Sequence, residues 1–285
     1  MPFTKSTDNT FTAILVYVDD LVRTGKNIDE ITKVKQILDI TYKIKDLGKL
    51  RYFLGLDIAR YASSIHLNQR KYVLSLLEES STLASKTAKT PFEPTTKLQA
   101  HEGIPITDPS SYKRLVGKLI YLTISRHDIY YAIQQLNLFM NNPLDNHYKA
   151  TLRVLHYLKK SPSQGLFFSS TNSLRLSAFS VSDWASCLDS RKSIIGFCIL
   201  LGSSIISSKT KKQNNINRSS LKAEYRALGS LACELQWLNY ILHDLKLPLS
   251  TPISVYCDNQ SAIYLAYNPV FHERTKLIEI DYHVV

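Results

Sequence analysis

The hydrophobic pattern changes abruptly between Phe11 and Leu21, where the sequence reads FTAILVYVDDL. The apolar, β-branched and aromatic run predicts a buried strand, and the short apolar stretch after the acidic pair indicates a hairpin. Two adjacent carboxylates, Asp19 and Asp20, are therefore predicted at the hairpin tip. Tight hairpins favour Asn-Gly or Asp-Gly, so a Tyr-Val-Asp-Asp tip is poor local turn design and indicates another purpose.

The acidic pair alone leaves two interpretations open. Asp is common in turns, and many Asp-Asp pairs are only solvated turns. Two like charges on a stiff element also repel unless a cation lies between them. Mg²⁺ in proteins takes a few carboxylates together with substrate phosphates, so a magnesium site is the second interpretation.

The next hundred residues alternate between helical and strand-like patterns. An amphipathic helix packed against the sheet is predicted from apolar residues at mostly three- or four-residue spacing: Ile28, Ile31, Val34, Ile37, Leu38 and Ile44. Residues 50–59 predict one strand, in which Gly55 marks a bulge or a close backbone approach. Residues 65–67 form a short strand, and Asn68 is predicted to cap a helix with Tyr72, Val73, Leu76 and Leu77 on one face.

The remaining pattern predicts two domains of an α+β protein. Residues 80–111 form a polar connector, followed by helices at 112–123, 128–140 and 145–160, and SPSQG marks a boundary after residue 160. Beyond it, strands are predicted at 165–168, 174–182, 194–201, 204–208 and 253–257, with helices at 220–245 and 260–267. This order favours a mixed sheet with helices on its faces.

The charge and cysteine content of the sequence narrow the classes of binding partner and the cellular compartment. The formal net charge is +11 over 285 residues, of which residues 1–170 carry +8 (23 Lys and Arg against 15 Asp and Glu). Such an excess favours a polyanionic partner, although a merely solvated basic face is the alternative. Four scattered cysteines without a Cys-x-x-Cys pair favour a reducing compartment. Without a membrane-length apolar run or a secretory signal, we expect an intracellular protein, cytoplasmic or nuclear.

Several stretches together resemble one protein family. VYVDD resembles the polymerase signature of reverse transcriptases, and the blocks that follow it resemble the Pol polyproteins of Ty1/copia-type LTR retrotransposons. These blocks are KDLGKLRYFLGLDIAR, NQRKYVLSLLEES, YKRLVGKLIYLTISRHDI, SSLKAEYRAL, VYCDNQSAIYLAYNP and HERTKLIEIDYHVV. They occur in family order and cover nearly the whole chain.

The resemblance implies a division into two parts. Residues 1–160 would be a partial reverse-transcriptase palm with a helical thumb-like region, and residues 161–285 an RNase H-like domain. The implied activities are RNA-directed DNA synthesis and hydrolysis of RNA in an RNA:DNA hybrid, at two-metal Mg²⁺ sites, with primer-template or hybrid as partner. The FLG segment around Gly55 would be the primer grip.

The resemblance also assigns individual residues. Asp19 and Asp20 would be polymerase metal ligands, and Glu224, Asp258 and Asp281 RNase H metal ligands. Basic side chains of the thumb-like helices would grip the phosphate backbone without reading sequence: Lys113, Arg114, Lys118, Arg153, Lys159 and Lys160. Each of these residues also has an ordinary structural interpretation when it is taken singly. Glu224 would be a helix-surface residue, Asp258 would cap a strand end, and each basic residue would be a solvated side chain.

The chain departs from the family at the first RNase H ligand. Family members read Tyr-Ser-Asp-Ala-Asp-Trp, whereas this chain places Val181 where the metal-bridging Asp stands. Asp183 is retained on the same strand face, but roughly 6–7 Å further along, which makes it a weak replacement. Ser208 for Trp, Leu277 for His and His127 for Pro are further departures, which indicate relaxed selection.

These observations lead to three hypotheses. The chain either cleaves hybrids with Glu224, Asp258, Asp281 and weak help from Asp183, or is a degenerate remnant that binds nucleic acid without catalysis, or does not fold stably. We favour the second. Polymerase activity is not expected, because a third carboxylate and the fingers would precede Phe11, and the RNase H-like part is expected to stop inside its final helix.

Overall fold

The computed structural model describes residues 2–7, 10–93 and 95–268. Within these residues the chain forms three β-sheets and seven α-helices, an α+β arrangement that agrees with the predicted class. In this described part, no helix is both long and apolar enough to cross a membrane.

The first sheet is the predicted acidic hairpin with one added strand. Strands β1 (Pro2–Thr7), β2 (Thr10–Tyr17) and β3 (Asp20–Gly25) pair antiparallel in that order. Tyr17 pairs with Asp20, so Val18 and Asp19 form a two-residue loop. The prediction of a hairpin with both carboxylates at its tip is confirmed.

Helix α1 (Ile28–Tyr42) follows, and the side chain of Asn27 caps it by accepting from the Asp29 amide at 2.8 Å. Its predicted apolar stripe is only partly covered. Ile31, Val34 and Leu38 are half-buried, whereas Ile37 is 63% exposed and no α1 side chain is fully buried. The prediction of an amphipathic helix packed against the sheet is confirmed, since α1 contacts β3, although Ile37 stays exposed and Ile44 lies beyond the end of the helix.

The second sheet corrects the single strand predicted for residues 50–59. Strands β4 (Tyr52–Phe53) and β5 (Leu56–Tyr61) form a hairpin, and Leu54 and Gly55 make its turn with φ values of 47° and 75°. Positive φ at both central residues is the type I′ pattern that matches the twist of paired strands. Leu54 is not a usual turn residue, which is why the apolar run concealed the turn.

Two further strands complete this sheet. Strand β6 (Ser64–Asn68) pairs with β5, and β7 (Gly165–Ser169) pairs with β6. The sequence pattern assigned the 165–168 strand to the second part, yet it hydrogen-bonds to a strand of the first. The sheet therefore extends across the predicted boundary after residue 160, and that boundary stays a prediction.

Four helices build the largest core. They are α2 (Arg70–Glu79), α3 (Pro109–Leu122), α4 (Tyr130–Asn137) and α5 (Asp145–Lys160), with a 3-10 turn His127–Ile129 before α4. Their buried faces join in one cluster that includes Val73, Leu119 and Leu155. Asn68 ends β6 instead of serving as the N-cap, but its side chain still accepts from the Arg70 amide at 3.0 Å.

The third sheet is mixed. Strands β8 (Leu176–Asp183), β9 (Ile194–Leu201) and β10 (Ser204–Lys212) form an antiparallel meander, and β11 (Ser254–Cys257) joins β8 in parallel. The strand order is β10-β9-β8-β11. Helix α6 (Ser220–Asp244), capped by Ser219, packs on β8 and β9, and α7 (Gln260–Tyr267) follows β11. The predicted mixed sheet with helices is confirmed.

A buried guanidinium ties the helical core to the chain that follows it. Arg126 is 1% exposed and donates to both carboxylate oxygens of Asp128, at 2.9 and 2.8 Å, and to the Ser161 carbonyl at 2.9 Å. The Tyr157 ring lies 5.6 Å from the guanidinium carbon, and its hydroxyl donates to Asp128. Each of the three guanidinium nitrogens of Arg126 therefore has a hydrogen-bond acceptor.

Candidate metal and nucleic-acid site

The tip of the acidic hairpin carries backbone strain. Val18 has a φ of 48°, a left-handed conformation that is unfavourable for a β-branched residue. Asp19 and Asp20 follow it, and both are exposed. A strained β-branched residue directly before two carboxylates distinguishes this tip from a simple turn, which would place Gly or Asn there.

The β4–β5 turn contacts helix α3. The Tyr121 hydroxyl on α3 donates to the Leu54 carbonyl at 2.5 Å, and a Cβ added at Gly55 would overlap that hydroxyl. Burial, followed by the neighbouring phenols of Tyr52 and Tyr17, raises the pKa of Tyr121. The side-chain hydrogen bond with Gln69 opposes this rise of the Tyr121 pKa. The sequence predicts a bulge or a close backbone approach at Gly55, and the structure instead places Gly55 in a turn that the Tyr121 side chain approaches closely.

A second acidic cluster forms where α6, β8 and β11 meet. Glu224, Cys257 and Asp258 each offer a donor atom, and these atoms lie within 4.8 Å of one another. Glu224 lies in the first turns of α6, while Cys257 ends β11 and Asp258 follows it directly. Residues more than thirty positions apart are brought together because β11 pairs in parallel beside β8.

Glu224 is held in place by the backbone. It is 5% exposed, and its Oε1 atom accepts from the Ser182 amide at 2.8 Å. Its Oε2 atom lies 3.9 Å from the Cys257 sulfur. Burial raises the pKa of Glu224, the Ser182 amide opposes that rise, and the Asp258 charge adds to it. A buried, anchored carboxylate beside the exposed Asp258 carboxylate suits a divalent cation with substrate phosphates as its other ligands.

Two buried hydroxyls share this face of the sheet. Ser180 is 5% exposed and Ser182 is 8% exposed, and in the structure neither Oγ atom has a hydrogen-bond partner. Ser180 is the register partner of Cys257. Side chains alternate along a strand, so both hydroxyls face α6 from the same side as Cys257. Unsatisfied buried hydroxyls beside clustered carboxylates are typical of a site that a further ligand completes.

Val181 and Asp183 lie on the opposite face of β8. Val181 is 50% exposed beside the stacked rings of Phe179 and Tyr256, whose centroids are 4.8 Å apart. Asp183 lines a cavity of about 650 Å³ together with Trp184 and Tyr131. The shared face of Val181 and Asp183 agrees with strand alternation. The grouped donor atoms nevertheless belong to Glu224, Cys257 and Asp258.

Asp281 and Leu277 lie outside the described residues. The assignment of Asp281 as a metal ligand therefore stays a prediction. The same holds for the metal roles predicted for Asp19 and Asp20.

The six predicted phosphate-gripping side chains divide into two groups. Lys118 forms an ion pair with Glu79, Arg153 pairs with Glu93 at 2.8 Å, and Lys159 donates to the Ser85 carbonyl at 2.5 Å. The other three are exposed on α3 and α5: Lys113, Arg114 and Lys160. The second group presents its charge to solvent, whereas the first is engaged within the protein.

Two of the family departures contact each other. The Ser208 hydroxyl on β10 lies 2.6 Å from Nδ1 of His127, the first residue of the 3-10 turn. A hydroxyl in place of a large ring, and an imidazole in place of a proline, thus form one hydrogen bond across 81 residues of sequence. The relaxed selection that the departures suggest stays a prediction.

Comparison with known proteins gives a family match for the first part of the chain and relatives over most of its length. A family model described as reverse transcriptase (RNA-dependent DNA polymerase) matches residues 3–94. The retrovirus-related Pol polyprotein from transposon RE1 of Arabidopsis thaliana is 40% identical over 272 residues, which cover 95% of this chain and 19% of that protein. No solved structure matches the chain.

Two shorter relatives match over most of their length. An uncharacterised mitochondrial protein of Arabidopsis thaliana is 38% identical over 224 residues, covering 79% of this chain and 93% of that protein. A transposon Ty5-1 protein of Saccharomyces cerevisiae is 30% identical over 234 residues, covering 81% of this chain and 76% of that protein.

The family match over residues 3–94 identifies a reverse transcriptase-like protein. The chain belongs to the Pol polyprotein family of Ty1/copia-type LTR retrotransposons. It spans 19% of the length of the transposon Pol polyproteins RE1 and RE2 that it matches.

Proposed function

We propose that the chain is a nucleic-acid-binding part of a retrotransposon Pol polyprotein whose RNase H-like unit is catalytically impaired. The observation that carries the proposal is the convergence of Glu224 and Asp258 beside β8, in a sheet of order β10-β9-β8-β11. Hydrolysis of RNA in a hybrid needs carboxylates from separate elements that converge on divalent cations. Helix α6 and the end of β11 supply two such groups.

The residues that would hold Mg²⁺ are Glu224 and Asp258. A divalent ion there supplies Lewis acidity at the scissile phosphate. The Ser182 amide fixes one oxygen of Glu224 and leaves the other directed towards Cys257 and Asp258. The neighbouring residue Val181 offers no oxygen, so one expected carboxylate is missing and cation binding is weaker than in the family pattern.

The first part of the chain would supply the grip on nucleic acid. Lys113, Arg114 and Lys160 are exposed on two helices of the main core, and most of the excess positive charge lies in residues 1–170. Contacts of this kind bind the phosphate backbone without reading sequence and release counterions. Asp19 and Asp20 would belong to a polymerase palm, with the Gly55 turn as primer grip.

Titration of an RNA:DNA hybrid at several salt concentrations tests the proposed grip. The unmodified chain is expected to bind weakly, without sequence preference, and with affinity that falls steeply as salt rises. Lys113→Ala/Arg114→Ala should lower the salt slope by about two, since each phosphate contact contributes about one. The matched control, Lys209→Ala/Lys211→Ala on β10, should leave the slope unchanged. A flat salt dependence, or an equal loss in the control, would refute the grip.

Primer extension tests the polymerase assignment. Among the residues that the structure describes, the grouped metal-capable side chains do not include Asp19 or Asp20. We therefore expect no nucleotide incorporation above that of Asp19→Asn/Asp20→Asn. Incorporation that the double variant abolishes would show a working palm and overturn the expectation.

A further inference from the structure

The same acidic cluster contains a donor that a magnesium site does not use. We propose that Glu224, Cys257 and Asp258 form a mixed carboxylate–thiolate site that binds thiophilic divalent cations, such as Zn²⁺ and Cd²⁺, in preference to Mg²⁺. The inference rests on the proposed function only in taking this cluster as the cation site. It adds the class of cation that the chain's own residues select.

The first support is the geometry of the three donors. They lie within 4.8 Å of one another, and Oε2 of Glu224 is 3.9 Å from the Cys257 sulfur. Oxygen and sulfur ligands of one tetrahedral Zn²⁺ are roughly 3.5 Å apart, given bond lengths of about 2.0–2.3 Å. Small rotations of the Cys257 and Asp258 side chains therefore bring all three donors onto one ion.

The second support is that two of the three donor side chains are held in place by other contacts. Glu224 is anchored by the Ser182 amide, and Cys257 is fixed in register opposite Ser180. The metal would thus meet donors whose positions are set by a helix and two paired strands. Ligands on rigid elements lose little conformational freedom when they bind an ion.

The third support is independent of the donors themselves. Ser180 and Ser182 are more than nine-tenths buried, and their Oγ atoms have no hydrogen-bond partner in the structure. Both hydroxyls lie on the same face of β8, on the same side of the sheet as the Cys257 side chain. A hydroxyl in this place can donate to a coordinated carboxylate oxygen, which is the usual second layer of a metal site.

The preference for soft cations follows from the donor set. Mg²⁺ requires near-octahedral oxygen ligands, and a thiolate cannot replace them. Zn²⁺ and Cd²⁺ accept sulfur readily and need only four ligands. Val181 removes the oxygen donor that the family pattern provides, whereas Cys257 keeps its sulfur. Coordination releases the thiol proton to solvent, and the two carboxylates and one thiolate then more than offset the charge of the dication.

The test is a Cd²⁺ titration of the full chain, followed by thiolate-to-metal charge-transfer absorption in the ultraviolet. We expect a band that saturates at one equivalent and persists in a large excess of Mg²⁺. Cys257→Ser, which keeps the size of the side chain, should abolish the band, and Asp258→Asn should weaken Cd²⁺ binding about tenfold or more. The matched control is Cys233→Ser, because Cys233 is exposed on α6; it should retain the band.

Three outcomes would overturn the inference: a band that survives in Cys257→Ser, a band lost in Cys233→Ser, or displacement of Cd²⁺ by Mg²⁺. Far-ultraviolet circular dichroism of Cys257→Ser separates loss of the ligand from loss of the fold. The readout does not depend on hydrolysis. Cd²⁺ binding in a chain that does not bind RNA:DNA hybrid would leave this inference standing and count against the proposed function, and salt-sensitive hybrid binding without Cd²⁺ binding would do the reverse.

Discussion

Arg126 carries a charge that is fully buried yet fully partnered. Removing a guanidinium of this kind leaves the Asp128 carboxylate without its strongest partner, so Arg126→Met is expected to destabilise the protein by about 3 kcal/mol. The control is Arg153→Met, whose ion pair with Glu93 has side-chain exposures of 34% and 48%. It should cost at most about 1 kcal/mol. Denaturant unfolding of both variants checks the difference, and equal losses would contradict it.

The Asp128 carboxylate should make part of the stability dependent on pH. Burial alone would raise its pKa, but the hydrogen bond and charge of Arg126, with the Tyr157 hydroxyl, hold that pKa below its ordinary 3.8. A carboxyl group with a lowered pKa stabilises the fold above the unfolded-state value, and this stabilisation is lost as the pH falls through the folded-state pKa. The advantage of the unmodified chain over Asp128→Asn should therefore be constant near neutral pH and shrink below about pH 3.8.

Unfolding free energies of the two proteins between pH 3 and 7 give the measurement. An advantage of the unmodified chain that grows on acidification would show that the sign is wrong. Asp128→Asn keeps the size of the side chain, so lost packing does not confuse the comparison.

Single residues differ in how far the sequence predicts them. Asp19 and Asp20 are foreseen at a hairpin tip because a strand pattern ends at them. Cys257 and Ser180 give no such signal, since their proximity depends on which strand pairs beside β8. Arg126 is also missed, because a lone Arg is ordinarily exposed and its burial depends on Asp128, Tyr157 and Ser161 together.

The β4–β5 hairpin offers a test at the scale of the element. Gly55 and Gly48 have nearly the same φ, 75° and 76°, but only Gly55 faces the Tyr121 hydroxyl at close range, and nothing lies within 4 Å of a Cβ at Gly48. Both Gly→Ala changes place a Cβ atom on a residue with positive φ, which strains the backbone. Gly55→Ala must in addition displace Tyr121 and break its hydrogen bond to Leu54.

We therefore expect Gly55→Ala to be less stable than Gly48→Ala by about 1–3 kcal/mol. Thermal or denaturant unfolding of the two variants measures the difference. Equal stabilities of the two variants would show that Tyr121 of helix α3 does not restrict the space at Gly55. Tyr121→Phe in the Gly55→Ala background should recover part of the loss, since it removes the clashing oxygen.

Helices and strands were predicted best where periodicity is long. Helix α5 agrees with its predicted range, 145–160, because it has a sustained buried face, and α7 agrees with 260–267, where the Asn259 side chain caps it. The turn at Leu54 and Gly55 was missed since Leu54 carries no turn signal. The exposed part of α1 was missed because periodicity marks an apolar stripe without saying what covers it.

At the scale of the whole molecule, His127 and Ser208 link the helical core to the mixed sheet. Their hydrogen bond of 2.6 Å joins the start of the α4 region to β10. A double-mutant cycle of His127→Ala and Ser208→Ala should give a coupling energy of about 0.5–1.5 kcal/mol. Ser207→Ala is the control, because Ser207 instead donates to Glu234 at 3.1 Å. Its coupling to His127 should be near zero, and equal couplings would contradict the link.

The arrangement of sheets depends on contacts that local patterns do not encode. The pairing of β7 with β6 joins residues about a hundred positions apart, and the parallel addition of β11 to β8 brings Cys257 and Asp258 to Glu224. The sequence pattern anticipated a mixed sheet with helices. The pairing of individual strands followed only from the structure.

The central claim is that Val181 stands at the first ligand position of the family pattern, one residue before the Ser182 amide that anchors Glu224. The direct measurement is Mg²⁺-dependent cleavage of an RNA:DNA hybrid by the unmodified chain, by Val181→Asp and by Val181→Asp/Asp258→Asn, with Val181→Asn as the matched uncharged control. We predict cleavage near background for the unmodified chain, recovery in Val181→Asp alone, and none in the other two variants. Cleavage by the unmodified chain at a rate that Val181→Asp does not improve would make Asp183 the working ligand and contradict the account.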